Sequence, residues 1–305
     1  MAPNIVEMRI ASAKPLARLT PAERLNFLLT NRLPRRWLTL FMGRFSRIEN
    51  PLVRALSIGI WRLFVDDLKL GEAAKSEFTS LHDCFIRQLK PGARPLDDDP
   101  DVLTSPCDAV VGEFGTVTEG QVLQAKGYPY SVAELLGNPA DAERLEGARY
   151  VTLRLKSSMY HRFHAPCAGR VRGLRYISGD TWNVNPIALR RIERLFCRNE
   201  RAVLTLEPET GAPVVTLVPV AAILVASMRI HGLDAPLTLE YEGPNEIALD
   251  RKAAKGEELG YFEHGSTIIL FASATFDFAA NLARGEVIRM GQPLLRRRNP
   301  TENNE

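Results

Sequence analysis

From about residue 102 to residue 271 the chain is a succession of short β-branched and aromatic runs separated by Gly, Pro and Asn turns. Runs of this length cannot bury themselves singly, so they confine the larger part of the chain to a β-rich domain. Strands are expected at residues 110–117, 150–155, 170–177, 202–206, 214–228, 237–241 and 267–271. Helical insertions are expected at residues 131–136, where Ser131 and Glu134 form a capping box, and at residues 187–196. The stretch before residue 102 has a different texture. Thr20, Pro21 and Glu23 read as a capped helix start, and helices are expected to continue to about Leu70. A further helical segment opens at Thr79 or Ser80 and runs to Leu89. The pattern then breaks at the segment from Lys90 to Pro95 and at the acidic run Asp97, Asp98, Asp99, Pro100. The expected fold class is α+β, with N-terminal amphipathic helices over residues 1–70 and a β-rich core domain with short helical insertions over residues 71–305. The end from Arg296 to Glu305 reads as loose.

Charge separates the same two parts. The whole chain of 305 residues carries +3, but residues 1–62 hold eleven Arg or Lys against three Glu, which is +8 and leaves −5 for the rest. Two segments, residues 33–45 and 52–64, interleave arginine with large apolar and aromatic residues at helical spacing. Neither has the roughly 20 consecutive apolar residues needed to cross a bilayer. Two readings stay open from these residues alone: helices lying flat on an anionic membrane surface, or amphipathic helices packed on the domain with their arginines in solvent. Nucleic-acid binding is not expected, because the basic residues alternate with apolar bulk and no nucleic-acid motif accompanies them.

The four cysteines, Cys84, Cys107, Cys167 and Cys197, are widely spaced, so neither a disulfide framework nor a zinc site is indicated and a reducing setting is expected. The first thirty residues contain no apolar stretch like a signal-peptide core, so secretion is not expected.

Three segments carry chemistry. Gly265 and Ser266 stand directly before the apolar run that begins at Thr267. Such a step is commonly a turn, but a serine hydroxyl held against the preceding glycine carbonyl can also attack it and cut the chain. The serine then becomes a pyruvoyl group, an electrophile that no unmodified side chain supplies. The segment from Tyr160 to Pro166 holds His161 and His164. As a metal site it is poor, with two ligands and no cluster to complete them, and no metal is expected. As acid and base the pair fits better: one histidine could take the Ser266 proton while the other moves a proton on a substrate. Asp108, at the mouth of an apolar strand, could fix the tautomer of a histidine, so that Asp108, His164 and Ser266 would form a relay acting on the protein's own backbone.

These residues, with the segments Phe85 to Arg87, Leu89 to Pro95, Gln124 to Ser131, Leu195 to Arg201 and Gly291 to Pro293, resemble the phosphatidylserine decarboxylases from about Leu33 to Leu294. The resemblance implies self-cleavage between Gly265 and Ser266 into chains 1–265 and 266–305, the second starting with a covalent pyruvoyl group from Ser266. It implies that Asp108 and His164 assist cleavage and that His161 serves decarboxylation. The substrate would be phosphatidylserine, held through a Schiff base and released as phosphatidylethanolamine. A homodimer bound peripherally at the cytoplasmic face of the inner membrane, an anionic surface, is implied as well. A decarboxylase of a soluble amino acid and a catalytically silent lipid-binding module are the alternatives. This chain departs from the family's usual pattern at Ala109, Ala221, Ala226, Ser158, Met159 and His264.

Overall fold

A computed structural model describes residues 34–65, 67–125, 128–223, 227–263 and 266–298. The helix expected from Pro21, together with Gly265 and His264, lies outside the described residues.

Two helices open the described chain, α1 at Arg35–Phe45 and α2 at Pro51–Phe64. Asn50 caps α2 by accepting from the backbone N–H groups of Leu52 and Val53, and Pro51 at the first helical position needs no donor there. A single turn, α3 at Leu81–Phe85, is capped by Ser80 and ends four residues short of the expected Leu89. The α+β expectation holds: among the described residues the rest is built on antiparallel strands, with short helical turns and loops between them.

In chain order the strands begin with β1 (Val102–Thr104), β2 (Ala109–Thr116), β3 (Gln121–Ala125) and β4 (Tyr128–Ser131). After α4 (Val132–Leu136) and α5 (Pro139–Glu143) come β5 (Arg149–Leu155), β6 (Arg162–His164) and β7 (Gly169–Ile177). Ser131 caps α4 by accepting from Glu134 N–H, as the capping box predicts. The insertion expected at residues 187–196 is instead two single turns, α6 (Pro186–Leu189) and α7 (Leu195–Arg198). Arg194 between them takes a left-handed conformation that a continuous helix cannot pass through.

The remaining strands are β8 (Arg201–Pro208), β9 (Val215–Ala221), β10 (Ser227–Ile230), β11 (Leu237–Thr238), β12 (Glu246–Ala253), β13 (Glu258–Phe262), β14 (Ser266–Ala272), β15 (Phe276–Phe278), β16 (Val287–Ile288) and β17 (Pro293–Arg297). The expected strand over residues 214–228 is thus two strands, β9 and β10, which belong to different sheets. Arg296 and Arg297, expected to be loose, pair with β1 and β15.

An eight-stranded sheet runs in the order β12-β7-β8-β9-β14-β5-β2-β16, and a four-stranded sheet in the order β11-β10-β13-β6. β14 is an inner strand buried along its whole length, as its apolar run requires. Its side chains alternate between two cores: Ile268, Leu270 and Ala272 join the larger cluster, with Phe163, Met228 and Phe262 of the smaller sheet, while Ile269 and Phe271 join the cluster under α4 and α7. Gly260 lets β13 lie between its neighbours, because a Cβ there would collide with the Arg229 carbonyl oxygen. Ala109 and Ala221 both avoid the left-handed region, so replacing glycine costs no backbone strain at these two positions; Ala226 lies outside the described residues.

Candidate active site

Ser266 is the first residue of β14, in register with Ala221 of β9 and Leu155 of β5. It is wholly buried, and its hydroxyl has no hydrogen-bond partner among the described residues. A buried hydroxyl without a partner costs free energy on the order of 1–3 kcal/mol. Alternation along β14 turns Ser266 towards the same core cluster as Ile268 and Leu270.

The segment that follows α3 holds the histidine-bearing strand. Arg87 is buried and donates to the carbonyls of Cys84, Leu68 and Ser158. Ile86 O accepts two bonds from Arg162, at 2.9 and 2.7 Å, and the Phe85 ring lies 4.1 Å from the His161 ring. The segment Phe85 to Arg87 therefore clamps the chain on both sides of His161. The His161 Nδ1 lies 2.8 Å from Met159 O, a pure acceptor, so Nδ1 carries the hydrogen and the lone pair of the uncharged ring is at Nε2.

His161 and His164 are three residues apart, and an extended chain puts such residues on opposite faces. The His161 carbonyl accepts from Phe262 N–H, and its neighbours on that face, Phe163 and Phe262, pack at 5.4 Å in the core cluster that Ser266 also faces. His164 lies on the other face, with Arg162. Its Nδ1 is 2.9 Å from Gly256 O and its Nε2 is 2.9 Å from the Tyr160 hydroxyl. Because Gly256 O only accepts, Nδ1 donates and Tyr160 O–H donates to Nε2. Burial holds the His164 pKa below its ordinary 6.5, although the bond to Gly256 and the charge of Glu258 oppose it.

Asp108 is buried beside this strand: His164 N–H donates to Pro106 O, two residues before it. The carboxylate accepts from Arg94 at 2.8 and 2.5 Å and from Met290 N–H at 3.0 Å. Arg94 also donates to Glu72; burial disfavours its charge, yet Asp108 and Glu72 outweigh burial and raise its pKa. The hydrogen bond expected from Asp108 to His164 is thus made by the Gly256 carbonyl instead, and Asp108 is engaged by Arg94. The Arg94 contact was missed in the sequence, where the segment from Lys90 to Pro95 reads only as a break. The glycine at 291 has φ +89, and a Cβ there would collide with Pro95 O; its tight turn delivers Met290 N–H to Asp108.

Glu263, three residues before Ser266, was also missed. Its buried carboxylate accepts from Arg47 at 2.8 Å through both oxygens and lies 3.8 Å from His82. Arg47 stands between α1 and α2, so the helical region grips the chain immediately before the Gly-Ser step. No group of three or more potential metal ligands occurs among the described residues.

The phosphatidylserine decarboxylase family profile matches residues 81–296. The chain belongs to this family. It is 38% identical over 278 residues to a phosphatidylserine decarboxylase proenzyme of Shewanella baltica, covering 85% of this chain and 92% of that protein. It is 36% identical over 287 residues to the proenzyme of Shewanella sediminis, covering 89% and 98%, and 37% identical over 276 residues to that of Shewanella pealeana, covering 85% and 94%. Phe85 to Arg87, the Tyr160 to Pro166 strand, Ser266 and the turn at Gly291 all fall within the stretch matched by the family profile. The segments that carry the family resemblance are also those that hold one another in place here.

Proposed function

We propose that this phosphatidylserine decarboxylase family member converts phosphatidylserine to phosphatidylethanolamine with a pyruvoyl group made from its own Ser266. The observation that carries the reading is the Ser266 hydroxyl, wholly buried at the head of an inner strand and satisfied by no partner among the described residues. Other buried hydroxyls, among them Thr152, Ser227 and Thr267, are also without a partner, but Ser266 alone of these directly follows the Gly265 carbonyl that the reaction would attack.

Maturation would begin with transfer of the Ser266 Oγ proton to a base and attack on the Gly265 carbonyl. The amide C–N bond breaks, an ester forms, and elimination releases Gly265 as a carboxylate. Hydrolysis of the resulting dehydroalanine then frees ammonia. His164, uncharged through burial and with Asp108 nearby, is the proposed base. It lies on the face of its strand away from His161 and makes no contact with the Ser266 hydroxyl among the described residues, so the transfer would need an intervening group or a shift of the strand. Its lone pair is held by Tyr160 O–H in the state described, so that hydroxyl must turn away or relay the proton.

The pyruvoyl group supplies a carbonyl conjugated with an amide, able to condense with a primary amine and to draw electron density as carbon dioxide leaves. His161 shares the face of Ser266 and, with Nδ1–H committed to Met159 O, would as an imidazolium that has taken a proton from solvent carry at Nε2 the proton that the substrate α-carbon takes up.

The helices α1 and α2 are proposed to lie on the membrane surface that holds the substrate. Trp37 is 75% exposed, Leu52 and Leu63 81%, and Phe64 83%, with arginines among them. No described helix is long and apolar enough to cross a membrane. Association as a homodimer at the cytoplasmic face of the inner membrane belongs to the same proposal. Purified protein mixed with liposomes containing phosphatidylserine is expected to release carbon dioxide and form phosphatidylethanolamine, and to leave free serine untouched. Turnover of free serine at a comparable rate would contradict the lipid assignment.

A further inference from the structure

Glu200 is wholly buried, and one of its two carboxylate oxygens has no partner among the described residues. Oε1 accepts from the Tyr176 hydroxyl at 2.7 Å; Oε2 is the atom left over. The neighbouring Arg201 does not neutralise it, because that guanidinium is spent on the carbonyls of Leu135, Cys197, Asn199 and Glu134. Burial pushes the Glu200 pKa up to about 7, against the Tyr176 hydrogen bond and the charge of Arg36, which pull it down.

Its place in the fold connects this carboxyl to Ser266. Ala221 N–H donates to Glu200 O at 2.8 Å, and Ala221 is in register with Ser266. Glu200, Ala221, Ser266 and Leu155 therefore form one row across the end of β8, β9, β14 and β5. Ala202, Leu204 and Leu206 continue the Glu200 side of β8 in the cluster that also takes Ile268 and Leu270. Alternation thus sets Glu200 and Ser266 on the same face. Two strand spacings separate their backbones by about 10 Å. The side chain between them is the single methyl of Ala221, the smallest a chiral residue can place there.

We propose that Glu200 is a catalytic residue that binds the ammonium group of the substrate and takes from it the proton the amine must lose before it can act as a nucleophile at residue 266. The inference rests on the reading of Ser266 given above. In the step, one N–H bond of the ammonium breaks, its electron pair stays on nitrogen, and the proton passes to Oε2; nothing is oxidised or reduced. A carboxylate with a raised pKa is a stronger base than an exposed one and still ionises near neutrality. The titratable and charged groups around it are Tyr176 from β7, with Tyr241 packed on that ring at 5.1 Å, and Arg36 from α1.

The test compares two amines captured on the matured protein and read by mass: short-chain phosphatidylserine, an ammonium ion at neutral pH, whose imine is trapped by borohydride, and hydroxylamine, uncharged there, whose oxime is stable without reduction. Glu200→Gln protein is expected to be cut as wild type is, to capture hydroxylamine at the wild-type rate, and to capture phosphatidylserine at least tenfold more slowly at pH 7. Wild-type capture of phosphatidylserine should fall as the pH drops through about 7, and the variant should lose that step. Tyr176→Phe removes a bond that lowers the Glu200 pKa, so it should move the step to higher pH, and it tests the same point if Glu200→Gln misfolds. Cut Glu200→Gln protein that captures both amines at wild-type rates, or loses both equally, would overturn this inference alone. A wild-type chain that stays whole would overturn it together with the reading of Ser266.

Discussion

At the residue scale, two histidines three positions apart have different neighbours, and the proposal gives them different work. His161→Ala is expected to leave the chain cut and to lower phosphatidylethanolamine formation by at least a hundredfold, in the range general acid–base catalysis contributes. His164→Ala is expected to slow cleavage, followed by gel electrophoresis of freshly refolded protein. The reverse pattern, with His161→Ala uncut, would exchange their roles. Because burial keeps the His164 pKa below 6.5, the imidazole stays a base as the pH falls through that value. The cleavage rate should therefore hold at pH 6.5 and decline only at lower pH. The same shift affects stability: below about 6.5 the unfolded chain takes up a proton that the folded one refuses, so this contribution is lost as the pH falls. Arg94→Ala would strand the buried Asp108 carboxylate and should cost about 3–5 kcal/mol in denaturant unfolding. The sequence made Ser266, His161 and His164 visible because their side-chain types announce chemistry. It hid Gly256, whose backbone carbonyl fixes the His164 tautomer from 92 residues away, since a carbonyl is common to every residue.

At the scale of elements, legibility followed pattern length. β5 and β14 were readable to within a residue or two at each end, whereas the apolar run holding β9 was read on to residue 228, past the break that separates it from β10. β12 alternates charged and apolar residues on a half-exposed sheet edge, and β16 is two residues long, so neither gave a run to read. The split of residues 186–198 into two turns depends on a left-handed Arg194, a conformation that side-chain type does not signal. The helices α1 and α2 were legible as amphipathic, and their exposed faces bear on membrane binding. Replacing Leu52 and Leu63 by Glu should weaken liposome sedimentation by about tenfold or more per residue, given about 1.5–3 kcal/mol for each large apolar side chain withdrawn from water. Unchanged sedimentation would return these helices to the alternative of packing on the domain.

At the scale of the whole molecule, the helical region and the β-rich region meet at the site. Arg47 holds Glu263, Arg35 donates to Asp180 at 3.0 Å and lies over the Trp182 ring, and Phe85 packs on His161. These contacts make the helical segment, proposed above to face the membrane, part of the frame around Ser266. The central claim is that this frame exists to convert Ser266 into an electrophile. The denatured intact mass of the purified protein, measured before and after borohydride reduction, tests it most directly. The account predicts two chains meeting at Gly265 and Ser266, the smaller lacking one ammonia and gaining two hydrogens on reduction. A single whole chain, stable over days in the presence of phosphatidylserine liposomes, would contradict it.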